Sequence, residues 1–163
     1  KAYFTDFFFF FVCFVVGGAE RQDSVRHALA HVSEAAVMIH DGARPFVTLS
    51  ELAALKAHNN AILAVPVKDT IKQVDADRNI SQTVPRDNLW GAQTPQFFET
   101  SLIQEVHRIA HSKGFLGTDD ASLVEVFSEV PVTIVPGSYE NIKITTPEDL
   151  IFGQAILDNR SKA

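Results

Sequence analysis
Cysteine is nearly missing from this chain. Cys13 is the only one, which excludes an internal disulfide and a cysteine-built zinc cage and points to a reducing compartment. Basic clusters are missing too. Fourteen Lys and Arg stand against 20 Asp and Glu, a net charge of −6, with no basic run of five. Nucleic acid is therefore excluded as the main partner, whereas a small anion needs only a few well-placed cations. No apolar run is long enough for a bilayer: Phe7 to Val16 is ten residues, where a span takes roughly 20. Nor does that run fit a signal peptide, since only Lys1 is basic and no small-x-small cleavage site follows. Two histidine pairs, His27/His31 and His107/His111, have i, i+4 spacing, but no Glu follows either first His. A metalloprotease helix is excluded, and these histidines are assigned to surface or groove packing.

The 163 residues fit one domain, able to bury about two-thirds of its unfolded surface. Residues 1–16, "KAYFTDFFFFFVCFVV", stand apart and hold seven of the 13 phenylalanines. They read either as a buried or edge strand entering "VVGG" or as a sequence artefact, because five consecutive phenylalanines are hard to seat in a sheet. No function is assigned to them. Residues 17–163 form the domain proper, with no internal repeat or low-complexity linker.

Beyond Val16 strand-like and helix-like pieces alternate. "RQDSVRHALAHV" places Val25, Ala28, Leu29 and Val32 on one helical face. A strand is expected at 36–39. Then "TLSELAALKAH" reads as a helix, with Thr48 and Glu51 at capping-box spacing. "AILAVPV" reads as a strand, "TSLIQEVHRIAHSKG" as a helix ended by Gly114, and "TDDASLVEVF" as a helix opened by Thr118 and two acids. "VTIV" and "NIKIT" read as strands, and the last helix has Thr146 as cap and Pro147 at its first position. Strands separated by helices of 10–15 residues make an α/β fold, a mostly parallel sheet covered on both faces.

Two stretches break the rhythm. In "VMIHDGARPFV" (37–47) a buried strand runs into an acid, a glycine and a guanidinium, then a proline. Turn chemistry accounts for Asp-Gly and Pro, and so does a ligand site at the carboxyl end of a strand. The second stretch, Lys68 to Phe98, lacks helical periodicity but alternates in "TIKQV" and "ISQTV" around the polar turn "DADRN". It reads as an inserted β-arm over about 68–98, reaching across to a second subunit.

Six phrases then coincide in order: "GGAERQDSV" (17–25), "HDGARP" (40–45), "PVKDTIK" (66–72), "LWGAQTPQFF" (89–98), "TDDAS" (118–122) and "NIKITTPEDL" (141–150). Together they resemble the 2-C-methyl-D-erythritol 4-phosphate cytidylyltransferases of the non-mevalonate isoprenoid pathway. The resemblance implies a Rossmann-like nucleotidyltransferase domain whose β-arm builds a homodimer, located in a bacterial cytoplasm or a plastid. It implies transfer of CMP from CTP to methylerythritol phosphate, with pyrophosphate leaving and Mg²⁺ neutralising the triphosphate, and no membrane or nucleic-acid partner. Such a reaction asks the protein for alignment and charge stabilisation.

Carried over residue by residue, the resemblance makes Lys143 and Arg86 catalytic, Lys143 on the α-phosphate and attacking oxygen, Arg86 from the neighbouring subunit on the acceptor phosphate. Gly17 and Gly18 would let backbone approach the base or ribose, and Ser24 would bind cytosine, unless it is only a serine of the first helical turn. Asp41 and Gly42 would meet ribose and sugar phosphate, Asp41 also near the metal. Arg44, Thr70, Thr94 and Thr118 would hold the acceptor, with a plain N-cap as the other reading of Thr118. Thr145 would stand behind them. Trp90 and Phe97-Phe98 are assigned to packing at the arm's base. Without the resemblance Arg86 is a solvated arginine.

The sequence also departs from the pattern. Those relatives begin with a strand and a glycine-rich loop bearing an arginine, followed by a lysine, and nothing before Gly17 holds a glycine or an arginine. Ala19 stands where some relatives have Asp. The chain is therefore expected to be N-terminally incomplete, to bind CTP weakly and to turn over slowly. Two alternatives stand beside the main reading: a ribitol-5-phosphate cytidylyltransferase, and a catalytically silent dimeric homologue.

Overall fold
The computed structural model describes residues 13–162; most of the Phe-rich segment falls outside them. The chain runs α1 (Arg21–Leu29), β1 (Ala36–Ile39), α2 (Leu49–Lys56), β2 (Ala61–Pro66), β3 (Ile71–Val74), β4 (Ile80–Val84), β5 (Trp90–Glu99), α3 (Thr100–Ser112), α4 (Asp120–Phe127), β6 (Thr133–Pro136) and α5 (Pro147–Arg160).

The helix boundaries follow local chemistry. Thr48 and Glu51 close the expected capping box on α2, and Thr146 caps α5 ahead of Pro147. Gly114, at φ +61°, lets the chain leave α3 through a left-handed turn. The start of α4 differs from expectation. Asp119, not Thr118, is the cap and forms its box with Ser122, because Gln96 and Ala121 fix the frame one residue later.

Four strands form the main sheet in the order β1-β5-β2-β6. Pairing is antiparallel for β1–β5 and β2–β5 and parallel for β2–β6. Three strands thus share one direction, and β5 runs against them in the interior. Neighbouring strand residues face opposite sides, and both sides are covered. Ile39, Ile62 and Phe98 join one core beneath α1, α3 and α4, while Met38, Leu63 and Phe97 join a second with Leu55 of α2. The α/β expectation holds.

Two expected elements are redrawn. The arm ends earlier than residue 98: β3 and β4 make a separate two-stranded sheet, while Trp90–Glu99 returns to the main sheet. Phe97 and Phe98 are accordingly core residues of that sheet rather than packing of the arm's base. "NIKIT" forms no strand. One backbone–backbone bond joins it to the segment after β1, Ile144 N donating to Ala43 O at 2.8 Å, and no ladder develops. The alternation nonetheless persists, with Ile142 and Ile144 half-buried and Lys143 exposed.

Phe98 has no exposure. Phe98→Ala should therefore cost about 3–5 kcal/mol in urea unfolding, whereas Leu49→Ala, at a side chain 84% exposed, should stay within about 0.5 kcal/mol.

Candidate functional site
Asp41 stands just beyond the end of β1, after His40, and its carboxylate gathers charge from distant segments. Oδ1 accepts from Arg21 Nε at 3.1 Å, Oδ2 pairs with Lys143 Nζ at 3.0 Å, and Arg44 Nε stands 3.9 Å from Oδ2. Burial alone would push the Asp41 carboxyl up. Hydrogen bonds from Lys143 and Arg21 outweigh it and hold the carboxyl below the ordinary aspartate value. Burial depresses the Arg44 guanidinium, with Asp41 opposing that shift.

The loop from His40 to Arg44 is built from within. The Arg44 carbonyl can only accept, so His40 Nε2 donates to it at 2.9 Å. In the neutral ring Nδ1 then accepts from the Thr94 hydroxyl at 3.0 Å, and that oxygen accepts from Asp41 N at 3.0 Å. Arg44 Nη1 donates to Asn141 O at 2.7 Å, and buried Asn141 donates through Nδ2 to Thr94 O at 2.9 Å. Glu51 adds a tie from α2, its Oε1 accepting from Ser138 N at 2.9 Å. The segment carrying Lys143 is thereby fastened to the end of β1.

Of the residues expected from the sequence, Asp41, Arg44, Lys143 and Thr94 converge. Thr94 does so from within: it is 6% exposed, and its hydroxyl is engaged by His40 and Asp41 rather than free for an acceptor. Gly18 and Ser24 lie at the adjoining start of α1, where Gly18 N donates to Ser24 Oγ at 3.0 Å. A Cβ at Gly18 would fall 2.2 Å from that of Asp23, so no other residue fits without a shift. Gly42 is exposed and a Cβ there meets nothing within 4 Å. Ser24, Asp41, Gly42, Arg21 and Lys143 line one cavity of about 650 Å³. Thr118 lines a smaller one of about 200 Å³ with Glu20, Arg21 and Asp120. The Thr145 hydroxyl turns away to Asp149 Oδ2 at 3.1 Å and belongs to the cap of α5.

Thr70 and Arg86 are exposed on the arm. Among the described residues no hydrogen bond or ion pair ties either to Asp41 or Lys143, and Arg86 Nη1 donates to the Lys68 carbonyl. Three residues at the site went unassigned in the sequence: Arg21, Asp120 and Asn141. Arg21 carried a readable signal, being a cation at a helix N-terminus, where the dipole disfavours it unless acids hold it. Its guanidinium is disfavoured by burial, yet Asp120 and Asp41 raise it above the ordinary arginine value.

Arg21, Arg44 and Lys143 against Asp41 and Asp120 leave one positive charge in excess, in a chain whose formal net charge is −6. Lys143 and Arg21 side chains are 43% and 39% exposed, so that excess faces solvent. The arrangement suits an anion. It does not suit a protein-held metal: both Asp41 oxygens are taken by cations, and among the described residues no three His, Cys, Asp or Glu are grouped to hold one.

In sequence and in fold the chain is similar to one family of known proteins. A sequence model of the family described as IspD: 2-C-methyl-D-erythritol 4-phosphate cytidylyltransferase matches residues 6–159. The enzyme of that name from Bacillus velezensis is 52% identical over 152 residues, 90% of this chain and 65% of its own. That from Halalkalibacterium halodurans is 50% identical over 154 residues, 91% of this chain and 66% of its own. The crystal structure of the Thermus thermophilus enzyme superposes with a TM-score of 0.79 at 37% identity, covering 87% of this chain and 71% of that one. The chain thus spans just under two thirds of the length of these two curated relatives. No helix among the described residues is long and apolar enough to cross a membrane.

Because the folded Asp41 carboxyl titrates low, its stabilising contribution is present above the ordinary value of about 3.9 and is lost as pH falls through the folded value. Urea midpoints of wild type and Asp41→Asn should differ most near neutral pH and converge below about pH 3.9. A gap unchanged down to strongly acid pH would show that these ion pairs add nothing.

Proposed function
The chain belongs to the IspD, or 2-C-methyl-D-erythritol 4-phosphate cytidylyltransferase, family, and from that premise we propose that the protein transfers CMP from CTP to 2-C-methyl-D-erythritol 4-phosphate. An oxygen of the acceptor phosphate bonds to the α-phosphorus of CTP while the bond from that phosphorus to the bridging oxygen of the β-phosphate breaks. Pyrophosphate carries away the electron pair, and the product is 4-diphosphocytidyl-methylerythritol. No covalent intermediate on the protein is required, so the demand is for placed cations.

The observation that carries this reading is the Asp41–Lys143 pair at 3.0 Å, in a cation-rich site at the carboxyl end of β1. A partly exposed ammonium held by one carboxylate oxygen can exchange that partner for a phosphate oxygen at small cost. Lys143 is assigned to the attacking phosphate and the α-phosphate, Ser24 and the backbone at Gly18 to the nucleoside, and Asp41 and Gly42 to the loop facing the ribose. Mg²⁺ is proposed to come with the triphosphate, whose oxygens supply its ligands. Arg86 and Thr70 are proposed to act in a second copy of the chain. Their exposure on a two-stranded arm, away from the Asp41 cluster of their own chain, supports that part.

The test supplies CTP and Mg²⁺ with either methylerythritol phosphate or ribitol 5-phosphate to the full gene product and measures pyrophosphate and the cytidylyl product. Turnover with the first acceptor and not the second is expected; absence of product with both would overturn the proposal. The shared site has its own signature. Arg86→Ala and Lys143→Ala proteins should each be nearly inactive, and an equal mixture of exchanged subunits should recover roughly a quarter of wild-type activity, since half the dimers then hold one intact site. No recovery would place Arg86 in its own subunit's site or outside the reaction.

A further inference from the structure
Arg21 stands at the first position of α1, facing two carboxylates from elsewhere in the chain. Nη1 and Nη2 both donate to Asp120 Oδ2 at 2.9 Å, and Nε donates to Asp41 Oδ1 at 3.1 Å. Asp120 is itself anchored. Its side chain is 1% exposed, and Oδ1 meets Nε2 of equally buried His107 at 3.0 Å. A chain of contacts therefore runs from the interior to solvent: His107 on α3, Asp120 on α4, Arg21 on α1, Asp41 after β1, then Lys143.

A guanidinium is planar and rigid, so two nitrogens fixed on Asp120 leave the third little choice of direction. That third nitrogen holds Asp41 Oδ1, and Oδ2 is the oxygen left for Lys143. We propose that Arg21 is a positioning residue of the transfer reaction: anchored by Asp120 and His107, it sets the rotation of the Asp41 carboxylate and hence the resting place of the Lys143 ammonium. The proposal rests on the transferase reading above. It assigns Arg21 an action through Asp41 rather than a grip on the nucleotide. Without Arg21, the carboxylate is free to turn both oxygens toward Lys143 and toward Arg44, whose buried Nε stands 3.9 Å from Oδ2 and has no hydrogen-bond partner. Lys143 is then held more closely and off line.

The test uses Arg21→Gln, Arg21→Lys and Asp120→Asn in the full gene product, with steady-state kinetics, thermal unfolding, and crystal structures of wild type and Arg21→Gln. Arg21→Gln should lower kcat about 100-fold, the scale of a misplacement near 1 Å, while KM for CTP moves less than about threefold. Arg21→Lys keeps a charge without the fork and should recover only part of the loss. Asp120→Asn should lower kcat in the same manner, and the crystal structure should show the Asp41 carboxylate turned. A raised KM with kcat intact would make Arg21 a ligand contact and overturn the proposal, as would an Asp41 carboxylate that does not move. Should Arg21→Gln fail to fold, Arg21→Lys carries both measurements. A wild-type protein that transfers CMP to no acceptor would overturn the transferase reading alone, and the paired crystal structures would still decide what Arg21 does to Asp41.

Discussion
The Asp41 carboxylate is where the molecule joins. Three cations from three segments meet around it, Arg21 from α1, Arg44 from the β1 exit and Lys143 from the segment before α5. Without a shared anion they would repel one another in a partly desolvated space. Its two oxygens do different work. Oδ1 meets a guanidinium whose other end lies on a buried acid, and removing such an acid leaves an uncompensated charge, at a cost on the order of 3–5 kcal/mol before any solvent discount. Oδ2 meets a lysine open to water, where ion pairs contribute only about 0–1 kcal/mol. One side of the carboxylate is therefore fixed and the other is exchangeable, as binding an incoming anion requires.

That division depends on β5. An interior strand is ordinarily apolar, yet β5 buries Gln93, Thr94 and Gln96. Each would be unfavourable without a partner, and each has one in a different loop. Gln93 Nε2 donates to Ser138 O at 2.9 Å, Thr94 Oγ1 joins His40 to Asp41 N, and Gln96 spans Asp119 Oδ2 and Ala121 N at the start of α4. Polar residues spaced along one strand thus set the positions of the Lys143 segment, the Asp41 loop and the α4 terminus that carries Asp120. The strand acts as a ruler for the site.

This also explains what the sequence discloses and what it hides. The capping box on α2 was legible because donor and acceptor lie three residues apart, and the cap of α5 because Thr146 directly precedes Pro147. The strand at 36–39 and the acid, glycine and arginine after it were legible for a similar reason, since a short apolar run ends where polar side chains begin. The inner half of β5 was not. "AQTPQ" breaks alternation and contains a proline, which argues against an interior strand, and its side-chain partners lie 23 to 54 residues away along the chain. The Arg21–Asp120 pair spans 99 residues, so no local pattern records it. Thr94 was identified as a site residue for its hydroxyl, but that hydroxyl is already committed within the protein, and spacing alone cannot reveal whether a donor is free.

The arm follows from the same accounting of partners. A lone two-stranded ribbon is marginal in water, and this one leaves Val74 50% and Ile80 64% exposed. Its root, by contrast, is well fastened: the Tyr139 hydroxyl donates to Pro66 O at 2.6 Å, and Lys68 Nζ lies 3.4 Å from the centre of the Tyr139 ring. Tyr139 stands two residues before Asn141, whose carbonyl holds Arg44 and whose amide holds Thr94 O. Arm and Asp41 cluster are therefore joined through one short loop. Any surface that covers the exposed side of the ribbon adds burial at one end of this linkage, and the residues at its other end are those that place Lys143.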